Sequence, residues 1–342
     1  MLYVLLAILL FGILIIIHEL GHFLTARLFN VTVNEFSIGM GPKILSKKSS
    51  KSRTVYSLRL FPIGGYVSME GEDEESESDG AFCKKPVWQR MIITAAGSAS
   101  NLLIGIIVMT ILCSSTQLVS NTIGEFQENA VSIEFLEIGD EIVKIGNINT
   151  YTATDVVYGV NRYGKAPTEI IVLRNGEKIA TTAMFDTVIQ NGHVFGKVDF
   201  LLYTEDSLND GGLFTILKHS LAQSRLMIRM VVDSLYDLIT GEYGINDMSG
   251  PVGITEVVSN AAKENNGSVW FYFVLIAMNL GVMNMLPFPA LDGGRIFFMI
   301  IELIARKPIP QKIEAIIHFI GMSLLLLLMV FITFKDIIKL IS

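Results

Sequence analysis

LYVLLAILLFGILIIIHELGHFL, residues 2–24, is an apolar run interrupted only by the ionisable side chains of His18, Glu19 and His22. A bilayer core is crossed by about 20 mostly apolar helical residues, so the run is long enough to span. It has no basic n-region and no Ala-x-Ala site, and it exceeds the length of a signal-peptide h-region. A retained spanning helix is the expectation. Three ionisable groups inside such a helix are costly, and groups kept at that cost usually serve function.

His18-Glu19-Leu20-Gly21-His22 has the form H-E-x-x-H. On a helix, residues four apart share a face, so both imidazoles can hold one zinc ion. Glu19 beside them is placed to act as general base on a water that the metal activates. A catalytic zinc usually takes three protein ligands, so a third must come from elsewhere. His193, His219, His318 and Asp292 are candidates, and Asp292 is the strongest. It follows an apolar segment in Asn284-Met-Leu-Pro-Phe-Pro-Ala-Leu-Asp292-Gly-Gly.

The chain has 342 residues, of which 51% are hydrophobic. A membrane protein is expected, with room for roughly two units. Further apolar segments run over about Met91–Cys113, Val269–Leu286 and Ile313–Phe334. Helices rising 1.5 Å per residue from Leu2 to His18 and from Val269 to Leu286 climb about 24 and 26 Å. Asp292 and the two histidines can therefore meet at similar depth. Pro287 and Pro289 break the helix there and free backbone groups, which at membrane depth must line a cavity or bind something.

Between the second and third spans, Asn121–Tyr203 carries short β-rich runs, Glu141–Ile145 and Glu169–Leu173, bounded by turn residues such as Gly139 and Asp140. Gly212–Gly241 has helical periodicity with Lys218, Arg225, Arg229 and Asp233 on its polar face, which predicts an amphipathic helix. The expected organisation is a membrane part over 1–114, a soluble domain over 121–203, an amphipathic region over 207–260 and a second membrane part over 268–342. Lys43, Lys47, Lys48, Lys51, Arg53 and Arg59 follow the first span, and Arg295, Arg306, Lys307 and Lys312 precede the fourth. By the positive-inside rule these loops are cytoplasmic and both termini lie outside. The acidic run Glu70–Asp79 reads as a solvated loop.

The net charge of −7, with no basic run interleaved with aromatics, gives no sign of nucleic-acid binding. Cys83 and Cys113 alone cannot make a disulfide framework or a structural zinc site. A non-enzymatic membrane receptor or transporter is the rival reading, and it would need no bound metal.

The H-E-x-x-H helix, the Asn-x-x-Pro-x-Pro-x-Leu-Asp-Gly motif and the soluble insert together resemble the site-2 protease family, in its bacterial regulator-of-sigma-E protease branch. Phe36-Ser-Ile-Gly-Met-Gly-Pro42, Phe61-Pro-Ile-Gly-Gly-Tyr-Val67 and Ser249-Gly-Pro-Val-Gly-Ile254 add to the likeness. The resemblance implies Zn2+ as cofactor, His18, His22 and Asp292 as its ligands, and Glu19 as catalytic base. It implies substrate contacts at Asn284, in the Pro287–Pro289 segment, and at Gly64, Gly65 and Tyr66 of a membrane-associated β-hairpin loop. The Gly64-Gly65 pair would serve there as turn or as closely approached backbone.

The insert resembles a small α+β PDZ-like domain, most clearly at Phe135–Val143, and such a domain is expected to exclude bulky substrates. The implied whole is an α-helical polytopic membrane protein with about four transmembrane helices. Its implied substrates are single-span membrane proteins, such as pre-trimmed anti-sigma factors, or remnant signal peptides, met in the lipid of a bacterial cell membrane. Two positions depart from the family pattern: Ser98 stands where proline is common, and Arg295 where histidine is. Asn101 is expected to hydrogen-bond between helices.

Overall fold

Helix α1, Leu2–Leu28, carries the H-E-x-x-H motif and leads into a long hairpin of β1, Val33–Lys48, and β2, Val55–Met69. In this computed structural model residues 2–50, 52–72, 74, 76–190, 192–205, 212–264 and 268–341 are described. Lys51, Asp73 and Glu75 from the basic and acidic loops, and the start of the region expected from residue 207, lie outside them. The chain divides into two units, 1–105 with 228–342, and 106–227.

In the first unit both hairpin strands bend at glycines with left-handed backbone: Gly39 (φ 83°) and Gly41 (φ 86°) in β1, and Gly64 (φ 89°) in β2. The bends let Val33–Ile38 pair on one side with Val55–Leu58 and on the other with Gly65–Met69. Gly64 and Gly65 therefore lie within β2 and not at the hairpin turn. A side chain at Gly65 would press on the Ser37 carbonyl, 2.6 Å from the added carbon, so the close-approach role holds for this glycine.

The helices of this unit are α1, the first part of α2 (Val87–Ser115), the end of α4 (Gly212–Thr240), α5 (Pro251–Glu264), α6 (Ser268–Asn284), α7 (Asp292–Ala305) and α8 (Gln311–Ile341). Among the described residues three stretches are long and apolar enough to cross a membrane: Leu5–Leu28, Val87–Ser115 and Lys312–Lys339. The third expected span forms the 17-residue α6, at the short end of the spanning range of about 17–25 residues. Exposed Leu324, Leu327, Val330 and Phe331 leave α8 apolar on its outer side, as lipid contact allows.

Small residues set the helix contacts, because apolar surface alone does not drive association in lipid. Gly21 packs on the α2 backbone at Ala96, Gly105 on Met278, and Gly281 on Leu102. Buried Asp336 of α8 accepts the N–H groups of Gly250 and Gly253, each at 2.9 Å. That carboxylate sits at the N-terminus of α5, where four backbone donors lack helical partners and negative charge is favoured. The Ser249–Ile254 motif is thereby a capped helix start.

The second unit is built on a sheet ordered β10-β3-β4-β6-β7, with β5 on β4. Its strands are β3 Leu118–Phe126, β4 Glu141–Ile145, β5 Ile148–Asn149, β6 Thr168–Arg174, β7 Glu177–Ala183 and β10 Phe200–Glu205; β8 Thr187–Gln190 and β9 His193–Gly196 form a separate ladder. Both runs expected as strands are strands, and Gly139 (φ 93°) makes the turn before β4. Helix α3, Ala153–Tyr163, starts at a capping box of Thr152 and Asp155. Its Val156 and Val160 join Ile142, Ile145, Ile170 and Val172 in a buried core.

Candidate metal centre

His18 and His22 are both buried and face the first residue of α7, Asp292. The Oδ2 atom of Asp292 lies 3.2 Å from Nε2 of His18 and 3.4 Å from Nε2 of His22. The two Nε2 atoms are 3.2 Å apart. Zinc bonds of about 2.0–2.1 Å at tetrahedral angles put ligand atoms about 3.3 Å from one another, so these three atoms are spaced as one face of a tetrahedron. Oδ2 is buried with no hydrogen-bond partner. An orphaned carboxylate oxygen between two imidazole nitrogens has the character of a cation site, because burying it unpaired is otherwise costly. Among the described residues this is the one cluster of three such groups that could hold a metal.

Two neighbours prepare the histidines. The Nδ1 of His22 donates to the carbonyl of Ile93 on α2 at 2.9 Å, which leaves Nε2 free as an electron-pair donor. The Nδ1 of His18 lies 3.5 Å from the Nδ2 of Asn101 on the same helix. Between them stands Gly97, where an added Cβ would come within 2.6 Å of Cε1 of His22 and 2.8 Å of Cε1 of His18.

Glu19 points to the hairpin, and its Oε2 accepts the N–H of Val67 at 3.0 Å. Tyr66, next to it, accepts a hydrogen bond from Nη2 of Arg59, whose guanidinium also covers its ring at 4.9 Å. Glu35 completes that cluster. Burial would raise its carboxyl, but hydrogen bonds from Ser57, Lys43 and Arg59 outweigh this and hold it at about 2.

The turn before Asp292 explains its sequence. Ala290 has φ 79°, rare for a residue with a side chain, and its N–H donates to Nδ1 of His318 at 2.8 Å. His318, a candidate ligand by sequence, instead braces this turn. Gly294 passes Pro289 so closely that a Cβ would stand 3.2 Å from its Cα. Asn284 ends α6 half-buried, and Pro287 is exposed in the turn. His193 and His219 belong to the other unit. Arg295, the departure from the family's histidine, pairs with Glu72.

Sequence reasoning missed Val67, Gly97 and the Ile93 carbonyl as neighbours of the site. A glycine at position 97, inside an apolar span, was the one available signal.

The model of peptidase family M50 matches residues 6–328. The chain is 34% identical to the Clostridium perfringens protein CPE1693, named as a zinc metalloprotease, over 98% of each chain. It is 29% identical to zinc metalloprotease RasP of Bacillus licheniformis, over 96% of this chain and 97% of the relative. It is 28% identical to the regulator of sigma-W protease RasP of Bacillus subtilis, again over 96% and 97%. The apolar helices and these matches make it a membrane protein. The chain belongs to peptidase family M50, the site-2 protease family, and is a zinc metalloprotease.

Proposed function

We propose that this zinc metalloprotease is an intramembrane endopeptidase that cuts single-span membrane proteins, with His18, His22 and Asp292 as zinc ligands and Glu19 as general base. The observation that carries the reading is the tetrahedral-face spacing of the three ligand atoms, with Glu19 on the same helix turn.

Zinc, when bound, polarises the scissile carbonyl and acidifies water. The chain's residues do the rest. Glu19 takes a proton from the attacking water and passes it to the leaving amine. The Val67 N–H holds Oε2 of Glu19, which leaves Oε1 to receive that proton. A helical substrate must unwind before a peptide bond can be attacked, and the unwound segment is suited to join a strand edge. Because the Val67 N–H points away from β1, the Gly65–Met69 segment offers such an edge beside Glu19. Gly64, Gly65 and Tyr66 form the near side of this substrate groove; Asn284, Pro287 and Pro289 form the other.

RasP of Bacillus subtilis is named as a regulator of sigma-W, which favours anti-sigma-factor-like substrates over remnant signal peptides. The sheet of the second unit, which covers the expected 121–203 domain and overruns it slightly at both ends, serves in this reading as a PDZ-like filter against bulky outer parts. Residues 1–114 and 268–342 then form the membrane parts and 207–260 the amphipathic region. The basic loops face the cytoplasm of a bacterial cell and both termini lie outside, so the zinc site sits near the cytoplasmic side of the membrane.

The test is co-expression with single-span proteins bearing small or large outer domains. Wild type should cut within the span, prefer the small outer domain and lose all cleavage as Glu19→Gln. Cleavage by Glu19→Gln, or cutting only outside the membrane segment, would overturn the assignment.

A further inference from the structure

We propose that Asn101 is a positioning residue for the metal: its carboxamide oxygen accepts the Nδ1 proton of His18 and so presents Nε2 as the ligand atom. The proposal rests on the zinc-ligand reading above and deepens it to a second layer of residues.

His18 turns Nε2 towards Asp292 and His22, so a metal held by all three uses that nitrogen. A neutral imidazole has one N–H, and if Nε2 is the electron-pair donor the proton sits on Nδ1. The group facing Nδ1 must then accept. That group is the Asn101 carboxamide, whose nitrogen stands 3.5 Å away while its Oδ1 is buried without a partner. The two ends of a carboxamide have nearly the same shape, so the orientation that turns Oδ1 to His18 costs no packing. Asn101 is 1% exposed, which leaves water little access to replace it.

The same helix treats the second histidine in the same way, through the Ile93 carbonyl on Nδ1 of His22. Ile93, Gly97 and Asn101 are four apart and share one face of α2. His22 lies by Ile93 and His18 by Asn101, so α1 and α2 run antiparallel, and the two histidines, four residues apart, reach partners eight residues apart on either side of Gly97. Gly97, midway, carries no Cβ that would push the two rings apart. One helix face thus fixes both tautomers and both ring positions. Partners of this kind tune metal affinity by about 10–100-fold.

A rival account makes Asn101 a packing residue between helices, and acceptor chemistry separates the two. Full-length protein in detergent is loaded with zinc and titrated against a chelator, and the Co2+ form is compared by its d–d absorption. Asn101→Leu keeps volume but removes the acceptor; it should bind zinc about 10–100-fold more weakly and alter the Co2+ bands. Asn101→Asp restores an acceptor and should bind zinc at least as tightly as wild type. Wild-type affinity in Asn101→Leu would overturn the proposal, and so would an Asn101→Asp protein as weak as the leucine variant. If Asn101→Leu does not fold, Asn101→Asp is judged against wild type, and zinc binding about tenfold or more weaker than wild type overturns the proposal. Asp292→Ala is the control for the underlying reading. Its loss of zinc beside an unaffected Asn101→Leu defeats only the present inference, whereas its retention of zinc removes the ligand set itself.

Discussion

The sheet and the metal centre bury polar groups to opposite ends. Among the described residues of the sheet, Leu118–Glu205, every buried side-chain polar atom has a partner. The Asp199 carboxylate takes the Ser132 hydroxyl at 2.6 Å and its N–H at 3.0 Å. Asp140 takes a two-pronged hold from Arg174, each contact at 2.7 Å. Around the metal centre, Oδ1 of Asn101 and Oδ2 of Asp292 are buried without a hydrogen-bond partner. Leaving such a group unpaired costs about 1–3 kcal/mol. The sheet meets that cost throughout, and the metal centre leaves it open at Asp292, where a metal would meet it.

The strongest way to break this contrast is to remove one of the open groups. Asp292→Ala leaves two imidazoles for a metal that usually takes three protein ligands. Its zinc affinity should fall beyond the roughly 100-fold loss typical of supporting residues, and cleavage should vanish. Chelator competition on purified protein measures the first and a cleavage assay the second. Stoichiometric zinc at wild-type affinity would move the third ligand elsewhere.

Gly97→Ala sets two effects against each other. Alanine is favoured over glycine in a helix by about 1 kcal/mol, so α2 alone would gain. The new methyl, however, would stand 2.6 Å from Cε1 of His22 and 2.8 Å from Cε1 of His18, and the rings must move. Zinc binding should weaken about tenfold or more, as for a lost supporting group, with no fall in thermal stability of the metal-free protein. Unchanged zinc affinity would show that the rings have room to spare.

The sheet should answer in the reverse manner. Arg174→Met removes charged hydrogen bonds to buried Asp140 and should lower stability by about 2 kcal/mol while sparing zinc and cleavage. Burial raises the Asp140 carboxyl, but the bonds from Arg174 and from the Glu137 N–H outweigh it and hold it below the ordinary carboxylate range. A depressed folded value contributes stability above the unfolded pKa of about 3.9 and loses it as pH falls through the folded value. Acid denaturation of Arg174→Met should therefore show a shallower loss over that acid range than wild type. An equal acid slope in both proteins would mean that Arg174 is not what holds Asp140 ionised.

Much of the centre was legible in the chain because its signals are local or tied to depth. His18 and His22 share a helix face by spacing alone, and ionisable groups in an apolar run call for a reason. Asp292 stood out as a carboxylate closing an apolar segment, and the matched rise of two helices supported it. The partners of the supporting residues were not legible: Asn101 was expected to bond between helices, but its neighbour His18 lies 83 residues away, and Val67 lies 48 residues from Glu19. No local period links such pairs; only the packing of α1 against α2 and of the bent hairpin brings them together. Gly64 and Gly65 show the same limit, since glycine pairs suit turns and bent strands alike, and pairing with Val33–Ile38 decided between them.

In the proposed mechanism a zinc site built from His18, His22 and Asp292 works through Glu19. The direct measurement is zinc content and peptide-bond cleavage in purified wild type and Glu19→Gln, side by side. Wild type should hold one zinc and cut a single-span substrate, and Glu19→Gln should hold one zinc and cut nothing. A Glu19→Gln protein that still cuts, or a wild type that cuts with no zinc bound, would contradict it.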